Sequence, residues 1–315
     1  MTSVDCWTLG YAVVAVAAFV WRVPHERIPS LLAIHALLVV LVLMMPRARR
    51  AGPVGRFLGD WYPLLIVTAL YTEVGLVNLA DGRAHDRIVL GWEQALFGFQ
   101  PAREWIRSNP STWLSWILYL GYLAYYPIIA TAPLALWATG QREAMRQAMT
   151  TIMATFYVCY TIFLVFPVVG PRLVFAAADN VATQTMIAQF TARFIDHVAA
   201  WGAAFPSSHV AVSVAATAAA LREWRALGAL LVVPTALLAL GSVYGQFHYA
   251  VDVLAGLGVG LAVAAGVWLT SRRPSEAASE ARGSTLDEPA TPNQSSESAE
   301  RAIPEGTGDS EARLR

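Results

Sequence analysis

Apolar runs of membrane-spanning length recur along the chain, at roughly residues 6–22, 29–46, 57–80, 112–138, 149–169, 207–221, 226–243 and 249–270. A span needs about 20 apolar residues, with about 17 as the lower limit, so most of these runs qualify. The run at 207 is short unless the polar residues before it belong to the same helix. The pattern predicts an all-α fold: a polytopic membrane helix bundle of 6–8 transmembrane helices, eight if every run spans. Trp7, Trp21, Trp61, Trp113, Trp137, Trp201, Trp224 and Trp268 fall near the run ends, where an amphipathic indole sits at headgroup level. They mark the same boundaries independently of hydropathy.

Polar segments between the runs divide into two kinds. One alternate set, PRARRAGPVGR (46–56), GQREAMRQ (140–147), LREWRA (221–226) and the stretch from Arg272-Arg273, is short and rich in Arg, which predicts the cytoplasmic side. The other set, residues 81–111, 170–206 and 244–248, mixes Arg with Asp and Glu and is expected outside; Arg22 and Arg27 run against the bias. Within it, Ile187, Phe190, Phe194 and Val198 (or His197) recur at helical steps, the pattern of a helix lying on the interface. Residues 85–101 read similarly, with Gly98 near the end of that helix. From Pro274 the chain turns to Ser, Glu, Ala, Pro and Gly and cannot bury enough surface to fold, so a disordered cytoplasmic tail is expected. The expected division is N-terminal membrane helices over 1–56, a catalytic membrane domain over 57–271 and the tail over 272–315.

Composition adds little to this. The 315 residues are 56% hydrophobic and carry 22 basic against 22 acidic groups, so net charge points to no nucleic-acid partner; the bilayer is the expected partner. All 22 basic residues are Arg, which removes any mechanism that needs a lysine. The opening MTSVDCWTLG lacks a positive region and carries Asp5, so the first run reads as a membrane helix and not a secretory signal. Cys6 and Cys159 lie in apolar runs without metal-ligand spacing and are expected to be buried, inert thiols.

Three polar clusters interrupt the apolar background at run ends on one side: PVVGPR (167–172), FPSSH (205–209) and YGQFHYAVD (244–252). Ionisable groups cost about 2.5 to 3.5 kcal/mol each at the centre of a membrane helix, so they are rare there and usually functional; at the interface that cost shrinks. His248 and Asp252 are four apart, so on a helix the carboxylate can accept the Nδ1 proton and leave the other ring nitrogen free. The same spacing also suits a satisfied pair at a helix start. In FPSSH, Pro206 fits a first helical turn and Ser207 or Ser208 can cap it; the free amides there form an anion site beside His209, or serve as a plain cap with a surface His. Arg172 reads either as a bidentate phosphate ligand or as a snorkelling headgroup contact.

Taken together these groups describe phosphoryl transfer at a membrane surface. GPR (170–172), PSSH (206–209) and SVYGQFHYAVDVLAG (242–256) resemble, in order and spacing, the motifs of the type 2 phosphatidic acid phosphatase superfamily, related to vanadium haloperoxidases, over roughly residues 57–270. The resemblance implies that His248 attacks phosphorus to give a phosphohistidine, that Asp252 orients and charge-balances it, and that His209 protonates the leaving alkoxide. It implies further that Arg172, Ser207, Ser208 and nearby amides hold the non-bridging oxygens of a lipid phosphate, with no metal and no cofactor. Preorganised positive potential on the equatorial oxygens with an in-line nucleophile and acid is what such chemistry requires. The chain departs from the family pattern in lacking its lysine, in the order Pro171-Arg172, and in Ser242 where a second Arg is expected. These departures are similar to the branch of inositol phosphorylceramide synthases, and leave Arg193, Arg83, Arg87, Arg103 or Arg107 to complete the clamp. A serine hydrolase built on Ser208 and His248, a proton-coupled transporter and a lipid-phosphate binder are the rival readings. The expected enzyme is a metal-independent lipid phosphatase or phosphotransferase, facing outward from a bacterial cytoplasmic membrane.

Overall fold

The computed structural model describes residues 1–270, so the expected tail over 272–315 lies outside the described residues. In chain order the helices are α1 (Ser3–Arg22), α2 (Ile28–Ala48), α3 (Pro53–Asp81), α4 (Asp86–Phe97), α5 (Pro101–Ser108), α6 (Thr112–Leu123), α7 (Tyr125–Ala138), α8 (Arg142–Val165), α9 (Pro171–Val174), α10 (Met186–Val198), α11 (Ser208–Glu223), α12 (Arg225–Tyr244) and α13 (Ala250–Thr270), with a 3-10 turn at His25–Arg27. The described residues hold no strand, only a parallel bridge between Val168 and Ala203. The fold is the all-helical bundle that the hydropathy pattern predicts.

Six helices, α1, α2, α3, α8, α12 and α13, are long and apolar enough to cross a membrane. The run at 112–138 forms two helices bent by 43° at Ala124, which count as a seventh span only if taken together. Pro127 lies in the first turn of α7, where its ring excludes the carbonyl of Leu123 four residues earlier, so α6 stops there. The run at 207 gives α11, 16 residues long. Its length matters little, because every residue from Val210 to Ala220 is buried among other helices instead of facing lipid.

α11 is the axis of the bundle, packed against α7, α8, α12 and α13. Its alanines keep it thin, and α13 answers with glycine. A Cβ on Gly256 would stand 2.5 Å from the Ser207 carbonyl oxygen, and one on Gly260 2.4 Å from that of Ala211. Asp252, Gly256 and Gly260 follow at four-residue steps, so one stripe of α13 carries a carboxylate and then two contacts too close for any side chain. A second close crossing joins α6 to α12, where Gly241 would bring a Cβ to 2.2 Å from the Leu118 carbonyl oxygen.

Charge pairs fasten both ends. At the end holding α11's first turn, Arg22 binds Asp81 and the Leu164 carbonyl, and Asn78 donates to the Phe163 carbonyl at 3.1 Å, joining α1, α3 and α8. At the opposite end Arg49 grips Asp5 through two bonds of 2.8 Å, Tyr62 donates to the same carboxylate, and Arg146 donates to Asp60 at 3.1 Å. Arg22, which runs against the sequence-level charge bias, is thus engaged within the bundle.

One sequence expectation changes, at Cys6, and α10 shows which of its apolar residues turn inward. On α10 the buried face is Ile187, Ala188, Thr191 and Ile195, whereas Phe190 and Val198 are exposed and Phe194 packs edge-on to Tyr126. Of the expected apolar face, Ile187 thus turns into the bundle while Phe190 and Val198 stay outside it, as on a helix lying on the interface. Cys6 is exposed on α1, while Cys159 is buried as expected. α4 ends at Gly98 in the left-handed region, φ 76°, close to where the sequence placed its end.

Gly256→Val should lower the melting temperature of the purified protein, at a cost of about 1–3 kcal/mol for overpacking a filled contact. A valine at Gly258, which has open space around it, should leave it unchanged.

Candidate active site

The site begins with the start of α11. Ser207 is the N-cap: its Oγ accepts the Val210 amide at 3.4 Å, and its own amide donates to the Asp252 carbonyl at 2.9 Å. Pro206 therefore precedes the cap and does not form the first helical turn. Ser208 is the first helical residue and is buried, so its amide and that of His209 are the terminal amides that no intrahelical carbonyl reaches. The glycine stripe of α13 runs against this turn, which is how Asp252 comes to lie behind it.

His248 sits in the tight connection from α12 to α13. Its amide and that of Phe247 both donate to the Ser242 carbonyl at 3.0 Å, and Gln246 takes a left-handed φ of 60° to close the turn. The Nδ1 of His248 lies 3.0 Å from the Ala204 carbonyl and 3.6 Å from Asp252 Oδ2. The direct Nδ1–carboxylate bond expected from the four-residue spacing is absent. The reason is local: α13 starts only at Ala250, so His248 is outside the helix, and Asp252 is its third residue. There its Oδ2 accepts the Tyr249 amide at 2.8 Å, one half of a capping box. Asp252 is fully buried, and its Oδ1 has no hydrogen-bond partner. Burial pushes the His248 imidazole down to about 4, against the opposing pull of the Ala204 carbonyl, so the ring is neutral at physiological pH.

His209 faces His248, with ring centroids 5.7 Å apart. The bend at Ala124 brings Tyr122 and Tyr125, from two different helices, to the same imidazole at centroid distances of 5.2 and 4.4 Å. The Tyr122 hydroxyl lies 3.4 Å from His209 Nε2, and His209 Nδ1 is buried without a partner. Phe247 stacks on Tyr122 at 4.2 Å and closes this aromatic wall.

Arg172 follows the Gly170-Pro171 turn at the start of α9. Gly170, at φ 90°, packs beside Ala204, the residue whose carbonyl meets His248, and near the Phe247 carbonyl. The Arg172 guanidinium is engaged by Asp196 of α10 at 2.7 Å. Of the other arginines considered for a clamp, Arg83 pairs with Asp81 at 2.8 Å, Arg103 lies over the Phe175 ring, and Arg107 reaches the Ala176 carbonyl. Ser242 is buried and its hydroxyl donates to the Leu238 carbonyl at 2.8 Å, so the position of the expected second Arg holds a hydroxyl turned back onto its own helix.

His209, His248, Asp252 and Ser207 thus meet, Ser208 adjoins them in sequence on α11, and the Arg172 turn lies beside His248's support. The sequence reading missed Tyr122, Tyr125, Asp86 and Glu93. Asp86 accepts the Val169 and Gly170 amides and the Tyr249 hydroxyl at 2.9–3.0 Å, and Glu93 accepts the Ala250 amide at 2.8 Å. Their signal was two acids two helical turns apart in an amphipathic segment; the tyrosines had none beyond the proline near the bend.

A family model described as the PAP2 superfamily matches residues 87–267, more than half of the chain and all six residues singled out above. A PA-phosphatase related-family protein of Dictyostelium discoideum is 25% identical over 236 residues, which is 62% of this chain and 42% of that protein. The chain accordingly spans less than half the length of that relative. No solved structure matches it significantly. With the match running from α4 through α13 and enclosing the paired histidines, the chain belongs to the PAP2 superfamily.

Proposed function

We propose that the protein is an integral-membrane lipid phosphatase or phosphotransferase that works through a phosphohistidine on His248. The observation that carries this reading is the facing of two imidazoles, His248 buried and His209 half-buried, 5.7 Å apart, at the amide end of α11. His248 is neutral, and with Nδ1 held by the Ala204 carbonyl its Nε2 lone pair is the nucleophile. Attack on phosphorus forms the N–P bond and breaks the P–O bond to the lipid. Burial and the facing His248 push the His209 imidazole down to about 3 before substrate binds, and the anionic phosphate bound beside it raises it again. His209 thus enters the step protonated, gives that proton to the departing alkoxide and, now neutral, takes one from the acceptor hydroxyl that attacks the phosphohistidine. The phosphorylated imidazole carries a positive charge, which the unpartnered oxygen of Asp252 offsets. The amides of Ser208 and His209 and the Ser208 hydroxyl receive the non-bridging oxygens. Arg172 joins them by exchanging Asp196 for phosphate.

When the acceptor is water the enzyme is a phosphatase, and when it is a lipid or sugar hydroxyl it is a transferase. The replacement of the second guanidinium by Ser242 supports the transferase variant, of the inositol phosphorylceramide synthase type. Residues 57–271 form the catalytic membrane domain in this reading, with 1–56 adding N-terminal helices. Because the Arg-rich loops 46–56, 140–147 and 221–226 gather at the opposite end from the histidines, the site faces outward across a cytoplasmic membrane.

Reconstituted protein should release phosphate, or form a new phospholipid, from at least one member of a lipid-phosphate panel with EDTA present. His248→Ala should abolish both products, and activity surviving that change contradicts the mechanism. Asp196→Asn should lower KM by up to about 5-fold, the scale of a partly exposed ion pair, with kcat little changed; a raised KM contradicts the exchange of Arg172 between Asp196 and phosphate. Because the His248 ring stays neutral down to about 4, its limb of kcat/KM should fall only on the acid side of pH 5. A limb at the ordinary imidazole value, unaffected by Asp252→Asn, would speak against His248 as the buried nucleophile.

A further inference from the structure

α4 carries Asp86 and Glu93 seven residues apart, on one face of the helix. The opposite face exposes Ile88, Trp92 and Leu96. Asp86 divides its oxygens between two segments of the site: Oδ2 accepts the Val169 amide, and Oδ1 accepts both the Gly170 amide and the Tyr249 hydroxyl. It therefore links the turn that leads to Arg172 with the residue that follows His248. Glu93, fully buried, accepts the Ala250 amide, the first amide of α13, while its Oε2 has no partner.

We propose that Asp86 and Glu93 form a positioning bracket, in which α4 holds the Arg172 turn and the His248 turn at one fixed separation and Glu93 sets the reactivity of His248 through Ala250. The inference rests on the phosphatase reading of the site. Neither carboxylate is assigned a contact with substrate; both act through the backbone that carries the reacting groups.

Chemistry gives Glu93 a second property. Burial pushes its carboxyl up to about 7, with the Ala250 amide pulling the other way and Asp252 adding to the rise. The other titratable groups around it are Tyr249 on the packed segment and Asp86 on its own helix. As pH rises through this value the carboxylate forms, its bond to the Ala250 amide becomes charge-assisted and roughly twice as strong, and the His248 turn is held more firmly. Turnover accordingly gains a limb near pH 7, separate from the lower one that belongs to His248.

The test uses the full chain reconstituted in lipid, assayed with whichever lipid phosphate it turns over. Glu93→Ala leaves the Ala250 amide without its acceptor and should lower kcat by about 10–100-fold with KM within about 2-fold, the mark of lost positioning. Glu93→Gln keeps a neutral acceptor for the Ala250 amide, so its kcat should stay at the level of the unaltered protein's acid side, above that of Glu93→Ala, with the rise near pH 7 lost. Asp86→Ala would strand three donors and endanger folding, so Tyr249→Phe, which cuts one link of the bracket, serves as the second variant and should lower kcat by about 10-fold. Unchanged kcat in Glu93→Ala and Tyr249→Phe, or an unchanged pH profile in Glu93→Gln, overturns the bracket if His248→Ala is inactive. Activity in His248→Ala overturns the phosphatase reading beneath it.

Discussion

The contact on which the site depends is the glycine crossing of α13 over α11. With Gly256 and Gly260 set against the carbonyls of Ser207 and Ala211, the two helices approach more closely than side chains allow. That approach lets the Ser207 amide reach the Asp252 carbonyl and brings Asp252 behind His248. The alanines of α11 do the same on its other faces, so a helix of 16 residues is enclosed on all sides and its first turn is held at the mouth of the bundle. In a bilayer, where apolar contacts between helices gain little from excluding water, close packing of small residues is the main force available for such a contact.

Around this axis the polar groups are spent on backbone. Ala204 holds His248, Asp252 caps α13, Asp86 holds the Val169–Gly170 turn, and Glu93 holds Ala250. Each is a buried acceptor meeting a buried or half-buried donor, which is the condition for keeping irregular chain at the end of a membrane bundle. Asp252 Oδ1, Glu93 Oε2 and His209 Nδ1 remain without partners. Unpaired polar atoms are costly in so enclosed a setting, and three of the eight such side-chain atoms among the described residues belong to His209 and to the acids that support the His248 turn, whereas Asp5, Arg49 and Tyr62 at the other end are paired with one another.

Much of this was legible in the sequence, for reasons that can be named. Span positions follow from hydropathy, since a helix facing lipid must be apolar over its length. FPSSH and YGQFHYAVD stood out because polar residues are scarce in the runs they interrupt. The break at Ala124 was hidden because hydropathy is blind to a carbonyl clash, although Pro127 was in view. Pro206 was placed inside the first turn and lies just before the Ser207 cap, because capping depends on backbone angles that the sequence leaves open. The His248–Ala204 bond could not be read at all, since its acceptor is a main-chain oxygen forty-four residues away. Asp86, Glu93 and the Arg172–Asp196 pair were illegible for the same reason: each joins segments whose adjacency only the packing of α4, α10 and α13 creates.

The central claim is that His248 carries phosphorus during turnover. Protein mixed with a turned-over lipid phosphate, quenched in alkali within the first turnover and analysed by peptide mass spectrometry should show an acid-labile phosphoryl group on His248. This group should appear before free product phosphate and fail to form in His248→Ala. Product formation with His248 unmodified throughout, or a phosphoryl group trapped on Ser208 instead, would contradict it.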